Sequence, residues 1–285
     1  MTVDIIIPTY KRYDLLEETL HSVASQTYPQ WKCWIAEDEE TRETYEVVKP
    51  FLQDHRFMYV PGKHAGFPAV PRNRAIRLGE AQYVAFLDDD DLWLPDKLKC
   101  QVEFMENHSR CILLGCNAFR WPGKGDWKQS SLYFHKVHRG SIPYEMLLQT
   151  NCFILSSAMT RRVTLEQAGL FSESLNPPIG EDYELWLRIG VLGEIWVLPE
   201  PYVVYRETET TYYSKLDRVD NYKMAANVYE SALQGVGDVA SPLSYPENEH
   251  FAAACRHERD FYRAGPRFLG RFRHEMFMKL LKILK

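Results

Sequence analysis

No stretch of this 285-residue sequence approaches the roughly 18 uninterrupted apolar positions that a membrane-spanning helix needs. Met1 runs directly into a strand-like segment, without a basic region and a long apolar one behind it, which predicts no secretory leader. Positive charge is not in excess either. The 34 Lys and Arg against 39 Asp and Glu leave a formal net charge of -5 and a pI near 6.0, which argues against a nucleic-acid partner held by bulk electrostatics. The six cysteines contain no C-x-x-C pair and no zinc-spaced cluster with histidine. Several lie in apolar runs, Cys116 among them, so reduced, buried thiols in a cytoplasmic protein are expected. Glycine is missing where a phosphate loop would need it. The first strand is followed by Pro8-Thr9-Tyr10-Lys11-Arg12 rather than a G-x-G-x-x-G turn, and no Walker A loop occurs. Dinucleotide oxidoreduction and P-loop nucleotide hydrolysis are thereby disfavoured, as is the Gly-rich first loop of sugar-nucleotide pyrophosphorylases. There is no internal repeat.

What is present is an alternation of strands and helices with 45% hydrophobic residues, enough for one large domain or two small ones. Residues 3–8 form a β-branched run stopped by proline, and residues 14–26 carry Leu16, Leu20 and Val23 at helical spacing. Residues 31–36, 57–60, 83–87 and 112–119 read as further strands, with helices predicted over 41–52, 72–80 and from Pro95 onward. Beyond a loop-rich insertion at 121–140, strands are expected at 152–159, 196–198 and 202–205, with helices at 164–169 and 181–192. The remainder, 216–233, 247–263 and from Phe268, reads as helical. This pattern predicts an α/β fold with a mostly parallel, doubly wound sheet, in which ligands sit outside the carboxyl ends of the strands. Three polar clusters fall at such ends: Thr9 to Arg12, Glu37-Asp38, and four aspartates.

Those aspartates are Asp88, Asp89, Asp90 and Asp91, delivered by the apolar run 83–87 and followed at once by Leu92-Trp93-Leu94. Neighbouring carboxylates ~5 Å apart repel by about 3 kcal/mol at an effective dielectric of 20. Four together at a buried strand end therefore call for a cation or donors opposite. Side-chain alternation along a strand sends Asp88 and Asp90 to one side and Asp89 and Asp91 to the other, so that Asp88 and Asp90 could converge on a hard cation, Mg²⁺ or Mn²⁺, that keeps positions open for phosphate oxygens. The plainer reading, acids capping the next helix, suits Asp91.

Five segments in order carry a resemblance: Ile6-Ile7-Pro8-Thr9-Tyr10-Lys11-Arg12, Ser25-Gln26-Thr27-Tyr28, Pro71-Arg72-Asn73-Arg74-Ala75, Phe86 through Trp93, and Gly180-Glu181-Asp182-Tyr183-Glu184-Leu185-Trp186-Leu187-Arg188. Over about residues 3 to 206 the chain resembles the family 2 glycosyltransferases of the GT-A fold. The resemblance implies inverting transfer of a sugar from a nucleoside diphosphate, with UDP-sugars favoured, to a hydroxyl of a growing polysaccharide or lipid-linked glycan. It implies that Pro8, Thr9 and Tyr10 line the nucleotide pocket, that Asp38 meets the base, and that Arg12 and Arg72 contact the donor. Asp88 and Asp89 would lie near ribose and metal, with Asp90 the direct metal ligand and Asp88 beside it; Glu181 joins the donor site and Asp182 is the general base. Glu39-Glu40-Thr41 departs from the small turn usual in the family after the base-contacting acid.

On this reading residues 1–110 are the nucleotide-sugar half, 111–215 the acceptor half and 216–285 a helical C-terminal extension. Arg206 either neutralises the diphosphate or pairs on the surface with Glu207 or Glu209. His135 and His138 are candidates for acceptor or diphosphate contact, although lone loop histidines are more often solvated. A Pro/Gly loop before Asp182 puts it at a helix start, which should lower its pKa. The tail from Phe268 places Leu269, Phe272, Met276, Leu280 and Ile283 on one helical face among interleaved Arg and Lys, a pattern for peripheral contact with the cytoplasmic face of a membrane or for packing on protein. Two other readings stay open: a retaining or phosphoryl-type metal-dependent transferase, and a non-catalytic nucleotide-sugar-binding module.

Overall fold

The computed structural model describes residues 1–175, 179–207, 226–232, 256 and 259. The first half is built from β1 (Val3–Thr9), α1 (Tyr13–Ala24), β2 (Trp31–Glu37), α2 (Arg42–Val48), β3 (Phe57–Val60), α3 (Ala69–Leu78) and β4 (Tyr83–Phe86). The second half adds β5 (Leu92–Trp93), α4 (Lys97–Asn107), β6 (Cys111–Trp121), β7 (Ser131–Leu132), α5 (Tyr144–Gln149), β8 (Met159–Arg161), α6 (Arg162–Gln167), α7 (Glu181–Gly190) and β9 (Glu194–Arg206). They join in one sheet of order β3-β2-β1-β4-β8-β6-β9-β5, with β7 paired to β6.

The first four strands in that order are parallel, as the βα alternation requires. Past β4 the sheet is mixed: β8 runs antiparallel to both β4 and β6, β6 and β9 are parallel, and β5 closes antiparallel on β9. Alternation along β1 feeds two cores. Val3, Ile5 and Ile7 pack with Leu16, Leu20 and Val23 of α1, while Ile6 joins Phe86, Ile76 and Trp186 on the other face.

Three expectations are corrected. The apolar run 152–159 is not one strand: Ser157 N donates to Ile154 O, which makes a short 3-10 turn at Leu155–Ser157, and only Met159–Arg161 pairs in the sheet. The two closing strands are one long strand, β9, kept on β6 through register shifts near Cys116 and Asn117. Helix α3 begins at Ala69, so Pro71 and Arg72 lie inside its first turns.

The quoted sequence motifs include scaffold as well as site. Gln26 donates from Nε2 to Leu94 O (2.8 Å) and accepts from Leu98 N (3.1 Å), so it fixes the chain just after the acids. Asn73 clasps the backbone of Phe171 through both ends of its amide, at 2.9 and 3.0 Å. Arg188 ties α7 to Glu184 and to the carbonyls of Ala168 and Leu170. Residues 226–232 form a helical segment whose Val228 meets the start of α7. There Gly180, at φ +78°, precedes the helix, and a Cβ on it would come within 2.9 Å of Val228 Cγ2.

Candidate active site

The order β2-β1-β4 puts three strand ends side by side, and each carries one of the polar clusters. After β1 the chain turns sharply, with Lys11 in the left-handed region at φ +54° and its ammonium 2.8 Å from Glu39. Thr9 is buried and its hydroxyl lacks a hydrogen-bond partner. Pro8 lies inside β1, opposite Ala36. At the end of β2, buried Asp38 accepts from the backbone N–H groups of Ala65 and Gly66, each at 2.9 Å, and His64 Nδ1 lies 2.9 Å from the same carboxylate. The His64 ring in turn stacks on Tyr10, 4.6 Å between centroids.

The four aspartates do not continue β4. Asp91 N donates to Asp88 O at 3.2 Å, so they form a turn, and the alternation that would put Asp88 and Asp90 on one side does not operate. Each acid has its own partners. Asp88 receives Arg72 at 2.7 Å and Asp90 receives Arg12 at 2.8 Å. Asp91, 1% exposed, accepts from Ser156 Oγ at 2.5 Å and from Arg206 N at 2.8 Å. It serves structure, and Thr19 on α1 supports the same turn by donating to its carbonyl at 2.9 Å. Asp89 is also buried, and burial followed by the charge of Asp90 pushes its pKa up to about 7. Asp90 is raised by burial and by Asp88, against the pull of Arg12 and Arg206. Burial and mutual repulsion thus both work against ionisation in the turn.

Arg206 is a buried cation and does not pair with Glu207, while Glu209 lies outside the described residues. Its Nε donates to Asp90 O at 2.8 Å, a terminal nitrogen meets Glu18 at 2.5 Å, and the guanidinium lies 4.5 Å from the Trp121 ring centre. Glu207 instead pairs with Arg120. Arg206 therefore clamps the acidic turn from behind.

Helix α7 brings its first residues to the turn through one cation. Buried Arg72 reaches Asp88 with one terminal nitrogen and Glu181 with the other, at 2.7 and 2.6 Å. Asp182 follows Glu181, partly buried, and accepts from Asn151 Nδ2 at 3.1 Å. Its pKa is raised to about 6, first by burial and then by the charge of Glu181. That reverses the expectation drawn from the helix dipole, because the dipole term is smaller than desolvation beside a second carboxylate.

Sequence reasoning missed Asn151 and Ser156. They reach the site across 31 and 65 positions of chain by loops without local motif, so no spacing signals them. His64, a loop histidine of the kind more often solvated than catalytic, is part-exposed and lies beside Asp38. His135 and His138 lie in the loop beyond β7, with no hydrogen bond or ion pair bringing them to the acids. The tail from Phe268 lies outside the described residues. Among the described residues no helix is long and apolar enough to cross a membrane, and no group of three or more His, Cys, Asp or Glu side chains forms a ready metal cage.

Comparison with known proteins places this arrangement. S. aureus TarS 1-349 in complex with UDP-GlcNAc superposes with a TM-score of 0.71 over 100% of this chain and 80% of that one, at 19% identity, which shows a shared GT-A fold. A mannosyltransferase from Pyrobaculum calidifontis in complex with GDP-Man and Mn²⁺ matches with a TM-score of 0.60 at 17% identity, covering 99% of this chain and 79% of that one. An uncharacterized glycosyltransferase of Rickettsia felis is 32% identical over 196 residues, 68% of this chain, which spans 31% of that longer protein. TuaG of Bacillus subtilis, named for teichuronic acid biosynthesis, is 39% identical over 190 residues, 66% of this chain and 71% of its own length. The Escherichia coli UDP-Glc:alpha-D-GlcNAc-diphosphoundecaprenol beta-1,3-glucosyltransferase WfaP is 30% identical over 195 residues, 66% of this chain and 69% of its own. The model of glycosyl transferase family 2 matches residues 4–168, more than half the sequence, and the chain belongs to that family.

Proposed function

We propose that the protein is a metal-dependent, inverting glycosyltransferase that moves a sugar from a UDP-sugar donor to a hydroxyl of a growing polysaccharide or lipid-linked glycan. One observation carries the reading: a single buried guanidinium, Arg72, bridges Asp88 of the acidic turn and Glu181 next to Asp182. It couples a site for an anionic leaving group to a carboxylate able to take a proton. The relatives named for a diphosphoundecaprenol-linked acceptor and for teichuronic acid biosynthesis support the acceptor class.

The donor set fits a divalent cation in the manner of a nucleotide enzyme. Asp90, with Asp88 beside it, offers one or two carboxylates rather than a closed cage, as Mg²⁺ and Mn²⁺ sites completed by phosphate oxygens and water do. Burial, and after it the charge of a neighbouring aspartate, raises both Asp89 and Asp90 at the same place. When bound, such an ion supplies charge stabilisation for the departing diphosphate.

The chain's own residues do the rest. The unpartnered Thr9 hydroxyl, the Tyr10 ring and Asp38 face the nucleoside, with Asp89 toward the ribose. Arg12 reaches the phosphates from its place on Asp90. Asp182 removes the proton from the acceptor hydroxyl as that oxygen bonds to the anomeric carbon. The bond from that carbon to the diphosphate breaks, and its electron pair leaves with UDP. A pKa of about 6 leaves Asp182 mostly ionised at neutral pH yet a stronger base than an ordinary aspartate.

The test is Asp182→Asn assayed with UDP-glucose or UDP-GlcNAc, Mn²⁺ and a GlcNAc-diphospho-lipid. Turnover falls by at least about 10²-fold, while donor affinity by calorimetry stays near that of the unsubstituted chain. Unchanged turnover removes the assignment, and a product retaining the donor's anomeric configuration by NMR removes the inverting mechanism.

A further inference from the structure

The insertion at 121–140 reads from sequence as loop, yet one part of it is firmly built into the sheet edge. Ser131 and Leu132 pair with Arg120 and Phe119, and Tyr133 N donates to Ala118 O at 2.8 Å. Asn117, 1% exposed, locks the next residue by donating to Phe134 O at 2.9 Å and accepting from Phe134 N at 3.0 Å. Tyr133 is thus held at a fixed position by its neighbours' backbone rather than by its own burial.

Its ring nevertheless remains 39% exposed. One edge rests on Tyr205, 5.3 Å between centroids at 82°, and another on Phe134 at 4.9 Å. Tyr205 immediately precedes Arg206, whose backbone N–H holds Asp91 of the acidic turn at 2.8 Å. Burial is the main cause that raises the Tyr133 phenol; Arg120 opposes it, and the fields of Asp182, Glu207 and Asp91 add to it. An aromatic ring mounted rigidly on the sheet, backed by Tyr205 and within the fields of Asp182 and Asp91, offers an apolar face to a ligand beside the acids.

We propose that Tyr133, backed by Tyr205, is the platform on which the acceptor's sugar ring stacks to present its hydroxyl to Asp182. The inference rests on the glycosyl-transfer reading and adds to it the acceptor subsite. A sugar ring suits this place because its axial C–H groups form an apolar face that covers an aromatic ring, while its hydroxyls stay available to Asp182 and to the exposed Arg120–Glu207 pair. A donor sugar, by contrast, must lie against the diphosphate and the acids.

The experiment measures the acceptor KM of the full chain with Mn²⁺, a GlcNAc-diphospho-lipid, and whichever of UDP-glucose and UDP-GlcNAc it turns over. In Tyr133→Ala the acceptor KM rises by about tenfold, a ring-stacking contact of about 1.4 kcal/mol, while UDP-sugar affinity by calorimetry is unaltered. Tyr133→Phe, which keeps the ring, holds the acceptor KM within about threefold, ~0.65 kcal/mol, of the unsubstituted value. An unchanged acceptor KM in the alanine variant, an equal rise in the phenylalanine variant, or a loss of UDP-sugar affinity overturns the platform while leaving glycosyl transfer standing. Failure of the unsubstituted chain to transfer or hydrolyse either donor overturns the transfer reading and this inference with it.

Discussion

The pH dependence of turnover is set by two neighbours of Asp182 that act in opposite directions. In the parent chain its pKa of about 6 makes kcat fall on the acid side with a midpoint near that value, so only about one-tenth of the plateau remains one pH unit below it. Burial is the largest cause of the shift and Glu181 the second. Two carboxylates ~7 Å apart at an effective dielectric of 20 repel by about 2.4 kcal/mol before any compensation. Arg72, 2.6 Å from Glu181, offsets part of this. Glu181→Gln removes the repulsion and leaves the Arg72 charge, so the midpoint drops by about one unit. At about pH 5 the variant then keeps roughly half of its plateau, about fivefold more than the parent relative to its own. Asn151→Ala acts with the reverse sign. It removes the donor, at 3.1 Å, that favours the ionised form, and the midpoint climbs.

The assay is kcat across about pH 4.5 to 8 at saturating Mn²⁺ and donor, with UDP affinity measured at each pH. The second measurement is necessary because Asp89, raised to about 7, titrates in the same window and would change donor binding rather than the chemical step. If the midpoint in Glu181→Gln stays put or rises while UDP affinity follows the parent, Asp182 is not the group that sets the acid limb. The assignment of the base then fails.

Asp90→Ala abolishes Mn²⁺-dependent donor binding by calorimetry, and persistence of a metal-dependent heat would move the ligand elsewhere in the turn. Asp89 binds its proton more tightly in the folded chain than in the unfolded one, so without metal its contribution is lost as pH rises from about 4 through 7. Asp89→Asn is accordingly more stable than the parent at about pH 8, by up to ~4 kcal/mol, and the gap closes at about pH 4 in denaturant titrations; a gap independent of pH refutes the shift. Arg72→Met strands Glu181 and Asp88 without their cation and costs about 3–5 kcal/mol of stability, a loss that Glu181→Gln partly relieves in the double variant if the pair is coupled as the contacts indicate. Co-sedimentation with anionic vesicles falls when residues 268–285 are deleted if the basic amphipathic tail contacts membrane, and equal binding ends that idea.

How much of this was legible in the sequence depends on whether a residue's job is settled by its own neighbours in the chain. β-branched runs identify β1, β2 and β4 because these strands are buried on both faces, 3.6-residue spacing identifies α1 because it buries one, and parallel pairing then has to set the strands' polar ends in a row. Periodicity fails where local hydrogen bonds win. At 152–158 the alternation is real, with Phe153 and Leu155 in one core and Ile154 in the other, but Asn151 takes Phe153 N and Ser157 turns back on Ile154. The same limit applies to the strand argument for the aspartates, since alternation holds only while the backbone is extended and the 3.2 Å bond from Asp91 to Asp88 ends that. Charge reasoning failed at Asp182 for a different cause: a helix start is local, whereas burial, the largest cause of the shift, is set by the fold, and the adjacent Glu181 adds to it against the pull of Arg72. Among the motif residues, chemistry and scaffold cannot be separated by type. Arg72 and Arg188 are both buried arginines paired to glutamates on α7, yet Arg188 binds Glu184 and two carbonyls and holds only the helix, while Arg72 spends its second nitrogen on the acidic turn. What distinguishes the site is the second partner of each charged group, and that partner is chosen by the fold.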